Sequence, residues 1–315
     1  MLGLNGYKMT FIDGIVFRCV IFFFTVLSLL PAKFNRIFLT LLVRAVFLIL
    51  VKHRKIALIN LRQAFPDKDD GWRKSILRQS CSSIARLISD FARLPKLDQA
   101  WVSEHVEFPP AEILNKLSKH SPRSGVIFAT GHLGSFELLA YSAAIKGFPL
   151  HFIVRNFKNK KLDDWWNARR ALYGNQVISR KGAFNKASEA LQSGQDLGIL
   201  FDQNVTKNHA VFVDFFGLKA ATTKTLGILA VRNAAPVMVV SIKHKGGDRY
   251  KINLVECDFK RLYQNSEILL DEKVQIITQT VSDIYQDMIQ NDPAAWFWMH
   301  RRWKTRPEGE QESIY

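Results

Sequence analysis

The chain has 315 residues, of which 48% are hydrophobic and 23% charged, so it is long enough for one large or two modest domains, and its composition excludes a disordered chain. The formal net charge of +16 predicts an anionic partner, either nucleic acid, anionic lipid or an acidic protein, unless the charge serves solubility alone. The three cysteines are far apart and no CxxC pair exists, so we expect neither a disulfide framework nor a zinc site, and no cofactor.

Two apolar stretches lie near the N-terminus. Residues 19–30 are uncharged, and residues 37–51 are interrupted only by Arg44. Neither stretch reaches the roughly 18 uncharged residues of a confident membrane span. We expect the first to span if Arg18 reaches the interface, and the second to lie in the interface; two buried core helices are the alternative. The basic residues 52–55 then place the following domain in the cytoplasm.

The rest of the chain changes from helical periodicity to an alternation of short apolar runs and amphipathic segments. Helices are predicted at 55–65 and 72–94. Predicted strands at 125–130, 150–155, 175–180 and 196–202 alternate with helices at 132–147, 162–174 and 183–194. After a loop come a helix at 221–235, two strands at 236–245 and 249–257 joined by a Gly-Gly-Asp hairpin, and a helix at 267–290. This order predicts an α/β fold with a largely parallel central sheet flanked by helices, in a domain over 55–315 behind a helical membrane-associated region over 1–54.

One histidine stands where such folds carry chemistry. His132 directly follows the first strand between Gly131 and Gly134, and ligands gather at the carboxyl ends of strands in open α/β sheets. Glu137 lies five residues later, about 140° away on an ideal helix, so the two side chains meet only if His132 lies in the turn before the helix. A carboxylate bonded to one imidazole nitrogen would leave the other as a general base. The alternative is a loop histidine beside a glutamate that favours a helix N-terminus.

The chain resembles the late lipid A acyltransferases, the lauroyl and myristoyl transferases of Gram-negative bacteria, within the glycerolipid acyltransferase superfamily. The resemblance covers roughly 50–307. It rests on an H-x4-D/E motif and on five further stretches, which occur in the same order along the chain as in the family. The motif lies in GHLGSFE at 131–137, and the five further stretches are NLRQAFP at 60–66, IVRN at 153–156, RRALYG at 169–174, FDQN at 201–204 with FFG at 215–217, and AAWFWMHRRWKTRP at 294–307.

The resemblance implies a reaction and a location. His132 would take the proton of a hydroxyl on a 3-hydroxyacyl chain of a lipid A precursor, and Glu137 would orient the imidazole. The resulting alkoxide would attack the acyl thioester of an acyl carrier protein. Such an enzyme would lie at the bacterial inner membrane, on an anionic surface, with its catalytic domain facing the cytoplasm.

Five further residues are candidates for substrate binding. Arg155 ends the second predicted strand, and Arg169 and Arg170 lie on the helix after it; arginine suits bidentate binding of phosphate, so we expect these three at the acceptor head group. Asp202 and Gln203 end the fourth predicted strand on the same rim, and the matching aspartate of the family belongs to its site.

Several alternatives stay open. The same fold transfers acyl or aminoacyl groups to other glycolipids in related enzymes. A non-catalytic basic membrane-surface protein would explain the charge, whereas a nucleic-acid-binding protein lacks a recognised motif, so we expect no nucleic acid partner. The cluster of tryptophan, histidine and arginine at 296–303 is compatible with base stacking or with a membrane interface, and His300 lacks partners at metal-ligand spacing.

Overall fold

The computed structural model describes residues 11–114, 124–179, 182–310 and 313–315, so the first ten residues of the predicted N-terminal region lie outside it. Helix α1 (Phe11–Leu29) is long and apolar enough to cross a membrane, with a mean hydropathy of 2.1 and 11% of its residues buried. This exposure does not fit the alternative of a buried core helix. Helices α2 (Ala32–Ile49) and α3 (Val51–Ala64) pass the same test only as a pair, and they are bent by 96° at their junction.

Helix α4 connects these N-terminal helices to the rest of the protein. It spans Asp70–Arg93 and is capped by Asp69, whose side chain accepts a hydrogen bond from the backbone N–H of Trp72 at 2.6 Å. Its packing partners include α1, α2 and α3. The short helix α5 (Gln99–His105) follows. The helices predicted at 55–65 and 72–94 are thereby confirmed as parts of α3 and α4.

The centre of the molecule is a seven-stranded sheet. In chain order its strands are β1 (Val106–Glu107), β2 (Ile127–Thr130), β3 (Leu150–Val154), β4 (Gln176–Ser179), β5 (Asp196–Leu200), β8 (Val237–Gly246) and β9 (Arg249–Cys257), and a separate antiparallel pair is formed by β6 (Ala210–Phe215) and β7 (Leu218–Thr223). The spatial order is β1-β9-β8-β2-β5-β3-β4, and only the β8–β9 hairpin is antiparallel. The predicted α/β fold with a largely parallel sheet is confirmed.

Helices cover both faces of this sheet and divide the core in two. They are α6 (Phe136–Ile145), α7 (Lys160–Arg170), α8 (Ala183–Gln192), α9 (Thr225–Asn233), α10 (Lys260–Gln264) and α11 (Leu270–Gln290). Phe128 and Phe152 point to the face that α4 and α6 cover, whereas Ala129 and Ile199 point to the face of α8, α9 and α11. Strands buried on both faces explain why the sequence shows continuous apolar runs there.

The structure corrects the prediction in one region. Residues 221–223 belong to β7 rather than to the predicted helix, and α9 begins only at Thr225. The preceding stretch is no plain loop, because β6 and β7 pair as a hairpin that packs against α11. Arg180, the last residue of the third predicted strand, lies outside the described residues.

Candidate active site

His132 lies in the turn between β2 and α6, at the carboxyl edge of the sheet. Two glycines make this turn possible. A Cβ on Gly131 would overlap the Asp202 carboxyl group and the Tyr285 hydroxyl, and Gly134 has a φ of +67°, where a Cβ would overlap the backbone oxygen of Ile242. The helix begins only at Phe136, so His132 lies in the turn before it, as the spacing of His132 and Glu137 predicted.

The closest carboxylate to the His132 ring is that of Asp202. Nδ1 of His132 lies 2.8 Å from Oδ1 of Asp202, and the backbone N–H of His132 donates to Oδ2 at 2.8 Å. The parallel register pairs Thr130 with Leu200, so the two residues that follow each strand by two positions meet at the sheet edge. The Asp202 side chain is 2% exposed and that of His132 is 25% exposed, so the carboxylate is enclosed while the ring reaches solvent.

The two groups shift each other's pKa in opposite directions. Burial opposes the protonation of His132, but the charge and hydrogen bond of Asp202 outweigh it and raise the pKa above 6.5. Burial alone would raise the pKa of Asp202; the charge and hydrogen bonds of His132 and the Trp296 N–H reverse this and lower it. The pair therefore holds an ionised carboxylate behind a basic imidazole, which is the arrangement of a general base.

Glu137 does not take the position expected for it. Its carboxylate accepts hydrogen bonds from Arg170, from Nε at 3.0 Å and from Nη2 at 2.5 Å, instead of binding the imidazole. Glu137 is the second residue of α6, and its bonds to Arg170 direct its side chain toward α7. The charge of Glu137 still raises the pKa of His132 through space. The carboxylate that orients the ring is thus Asp202, and Glu137 with Arg170 forms a second, adjacent ion pair.

The other predicted residues lie around this centre. The Gln203 side-chain amide is 3.3 Å from Nε2 of His132. Arg155 is exposed and lines the same cavity as His132. Arg169 is held differently, with its guanidinium 4.0 Å from the ring centre of Trp165. Of the five predicted binding residues, four line the cavity or bond a residue that does, whereas Arg169 is not among the residues that line it and packs on Trp165.

A cavity of about 1020 Å³ opens beside His132. One arm runs between α6 and the sheet: Phe136 and His132 lie at its upper end, and Phe148 lines it just beyond the last residue of α6. Phe108 lines it too, under Lys146 at the same end of the helix. Since α6 has ten residues, the arm is roughly 15 Å long. Its walls are mainly apolar, so it suits a hydrocarbon chain.

The C-terminal segment supplies residues that the sequence did not assign to the site. Nε1 of Trp296 donates to Oδ2 of Asp202 at 2.8 Å. The ring of His300 lines the cavity; burial lowers its pKa to about 4, and its buried Nδ1 has no hydrogen-bond partner. Trp298, Arg302 and Trp303 are fully buried, which rules out both base stacking and a membrane interface for them. Their indole and guanidinium N–H groups bond backbone oxygens, including Phe215 and Ala221.

A buried polar network supports the turn from below. Ser135 and Tyr250 both donate hydroxyl hydrogen bonds to Asp90 of α4, that of Tyr250 at 2.8 Å. Burial raises the pKa of Asp90. Because Ser135 lies between His132 and Glu137, this network fixes the backbone from which both side chains project.

Among the described residues no group of three or more His, Cys, Asp and Glu side chains is placed to hold a metal ion. All three cysteines are free, Cys19 exposed and Cys81 and Cys257 buried.

Comparison with known proteins agrees with this geometry. The family model described as bacterial lipid A biosynthesis acyltransferase matches residues 9–305. The chain is 23% identical over 285 residues to a lipid A biosynthesis myristoyltransferase of Escherichia coli strain K12, covering 90% of this chain and 85% of the relative. It is 24% identical over 269 residues to a lipid A biosynthesis acyltransferase of Haemophilus influenzae (82% and 80% covered), and 23% identical over 274 residues to the E. coli palmitoleoyltransferase (84% and 83%). The alternative of a non-catalytic membrane-surface protein is thereby set aside, and the chain belongs to the bacterial lipid A biosynthesis acyltransferase family and is an acyltransferase.

Proposed function

We propose that the protein transfers an acyl chain from an acyl carrier protein thioester to the hydroxyl of a 3-hydroxyacyl group on a lipid A precursor. The observation that carries this proposal is the His132–Asp202 pair at the mouth of a long apolar cavity. Acyl transfer to a hydroxyl requires a base that takes the hydroxyl proton and an apolar cavity beside it that holds the hydrocarbon chain. The relatives' names, all of which specify lipid A biosynthesis, supply the acceptor class.

His132 acts as the general base. Its Nδ1 faces Asp202, so Nε2 is the nitrogen left to take the proton from the acceptor hydroxyl. The alkoxide oxygen attacks the thioester carbonyl carbon, the C–S bond then breaks, and the imidazolium returns its proton to the departing thiolate. Asp202 stabilises the imidazolium at each stage, because its carboxylate stays ionised beside the ring.

Glu137 and Arg170 position the catalytic turn, and Glu137 adds to the basicity of His132. Their ion pair joins the first turn of α6 to the last turn of α7 across the cavity wall. Arg155 and Arg169 remain as the candidates for the phosphates of the acceptor head group, because Arg170 is committed to Glu137. Among the described salt bridges neither Arg155 nor Arg169 has a carboxylate partner, whereas phosphate offers each a bidentate one.

The N-terminal helices support a location of this site at a membrane surface. Apolar side chains on α1 and α2 are exposed along their length, and these include Phe11, Phe22, Leu29, Phe34, Leu41 and Ile49. Phe24 of α1 packs on Trp165 and Trp166 of α7, and the Asn159 side chain donates to the backbone oxygen of Asp13. The apolar helix therefore docks beside the carboxyl edge of the sheet, where a lipid acceptor would enter. We infer the inner membrane, with the domain on the cytoplasmic side, from the basic residues 52–55 that follow.

The net charge of +16 also suits the donor, because a basic surface attracts both an acidic carrier protein and anionic lipid. The alternatives are that the same site transfers an aminoacyl group from its carrier or acylates another glycolipid. Comparing fatty acyl and aminoacyl carrier thioesters as donors separates these possibilities.

The test is a transfer assay with the full chain in detergent, a labelled acyl carrier protein thioester and a tetra- or penta-acylated lipid A precursor. Wild-type transfer that His132→Ala abolishes establishes the reaction and the base together. Glu137→Ala is expected to weaken transfer through loss of positioning, and Arg155→Ala to raise KM for the acceptor. Transfer that persists undiminished in His132→Ala would remove the proposed mechanism.

A further inference from the structure

The part of the cavity between α6 and the sheet, here called the α6 arm, lacks a side chain on its sheet wall at the middle of the sheet. The strand register pairs Phe128 of β2 with Gly198 of β5, and Gly198 with Phe152 of β3. Across these three neighbouring strands the row facing the cavity therefore reads Phe, Gly, Phe. All three residues line the cavity, and the glycine leaves a notch between the two rings.

This notch lies about halfway along the arm. Thr130 and Leu200 form the next row toward His132, two residues and roughly 7 Å above Gly198. Leu150 lines the arm one row further down. Because the Gly198 row lies between the Thr130 row and the Leu150 row, a chain that extends from His132 toward Phe148 passes over Gly198.

The backbone at Gly198 does not itself require glycine. Its φ is not in the left-handed region, and a Cβ built there would lie 3.6 Å from Cδ1 of Leu150 and 3.7 Å from Cβ of Phe152, which are ordinary contacts. Glycine inside a strand weakens it, and it commonly marks a place where a ligand approaches the backbone closely. Here the space that a side chain would fill is the cavity.

We propose that Gly198 is a chain-length determinant: its missing side chain lets the donor acyl chain run past the middle of the sheet to the end of α6. This inference rests on the proposed function. The opposite wall is formed by Leu139, Ala140 and Ala143 of α6, and the small alanines keep the passage open from that side. Side chains added at Gly198 and at Ala143 would narrow the arm from its two opposite walls.

The experiment compares transfer from hexanoyl, octanoyl, decanoyl, lauroyl, myristoyl and palmitoyl carrier thioesters by the wild type and by Gly198→Ala, Gly198→Val and Gly198→Leu. We expect the preferred chain to become shorter as the added side chain grows. For the longest chain that the wild type uses, kcat/KM should fall by about 10–200-fold in the larger variants. Hexanoyl transfer should stay within about twofold, since a six-carbon chain ends before the notch and the catalytic groups are unchanged. Ala143→Leu should move the preference in the same direction from the other wall.

The matched control is Leu197→Val, a change at the neighbouring residue whose side chain points into the opposite core. It should lower the melting temperature and leave the ratio of long-chain to short-chain transfer unchanged. Gly198→Ala is small enough to fold by the contacts above, so it decides the question even if the leucine variant does not accumulate. A wild type that transfers no chain would overturn the proposed function; a wild type that transfers normally while every Gly198 variant keeps its chain preference would overturn only the role of Gly198.

Discussion

At the scale of single residues, the basicity of His132 depends on a charge that lies 70 positions away in sequence. Replacing Asp202 with Asn keeps the shape but removes the charge, so the raised pKa of His132 should fall. A general base works only when neutral, so wild-type kcat/KM should drop as the pH falls through the raised pKa; in Asp202→Asn that drop should move to lower pH. The plateau should fall by about 10²–10⁴-fold, because the imidazolium loses its counter-charge.

The measurement is the pH profile of kcat/KM, with Glu137→Gln as the comparison. Glu137 acts on His132 through space only, so its variant should move the acidic limb less than Asp202→Asn does. An acidic limb that stays in place in Asp202→Asn would show that Asp202 does not set the basicity of His132.

The Glu137–Arg170 ion pair is half-enclosed, with side-chain exposures of 10% and 18%. Removing one partner leaves the other charge without a counter-ion, so Glu137→Gln and Arg170→Met should each lower the unfolding free energy, by up to about 3 kcal/mol. The double variant should lose less than the sum of the two, and denaturant unfolding of all four proteins measures this coupling. Strictly additive losses would mean that the two side chains do not stabilise each other.

His300 should make the fold sensitive to acid. Its pKa is about 4 in the folded chain and 6.5 in the unfolded chain, so between these values only the unfolded chain binds the proton. Its contribution to stability is therefore complete above pH 6.5 and is lost as the pH falls toward 4. Melting temperatures across this window should fall less steeply for His300→Gln than for the wild type. His209→Gln, at an exposed histidine, should follow the wild type; equal slopes for all three would contradict the assignment.

At the scale of elements, the C-terminal segment holds the site together from the side. Two donors to Oδ2 of Asp202 are found among the described residues, the Trp296 indole N–H and the backbone N–H of His132. Trp296→Phe keeps the ring and removes this donor, so the buried carboxylate should be stabilised less, by about 1–3 kcal/mol. We expect lower kcat at little change in the KM for either substrate. Trp303→Phe, which removes an indole bond to the Phe215 backbone, is the matched control and should affect stability rather than kcat.

The sequence predicts those parts of the fold and of the site that leave a pattern in neighbouring residues, and it does not predict those that depend on contacts between distant residues. The alternation of short apolar runs with helical segments predicted strands β2, β3, β4 and β5, because a strand that is buried on both faces consists of consecutive apolar residues. The β6–β7 hairpin was missed, since residues 221–223 are small or β-branched and run directly into α9, which makes them resemble a helix start. Asp202 was placed on the correct rim, but the choice between Asp202 and Glu137 as partner depends on strand register, which the sequence does not display. Trp296 reaches Asp202 from a loop without periodicity, so no pattern indicated it.

At the scale of the whole molecule, the apolar and basic surfaces adjoin. The exposed apolar faces of α1 and α2 end where the exposed side chains of Lys52 and Lys55 begin α3. An apolar face bordered by cations is the arrangement of a protein that lies on or in an anionic leaflet. The site mouth lies near α1, so membrane contact would bring the lipid acceptor to the cavity instead of requiring its extraction into water.

This arrangement predicts that charge at the start of α3 matters more than charge elsewhere. Each cation near an anionic surface contributes on the order of 1 kcal/mol, so Lys52→Gln with Lys55→Gln should weaken binding to phosphatidylglycerol-containing vesicles by about 10–30-fold. Lys260→Gln with Arg261→Gln removes the same charge from α10, which follows β9 at the opposite, amino edge of the parallel strands, and should change binding little. Co-flotation at low salt measures both, and neutral phosphatidylcholine vesicles should show no difference between the variants. Equal losses from the two pairs would mean that net charge acts without orientation, and the α3 surface would then not face the membrane.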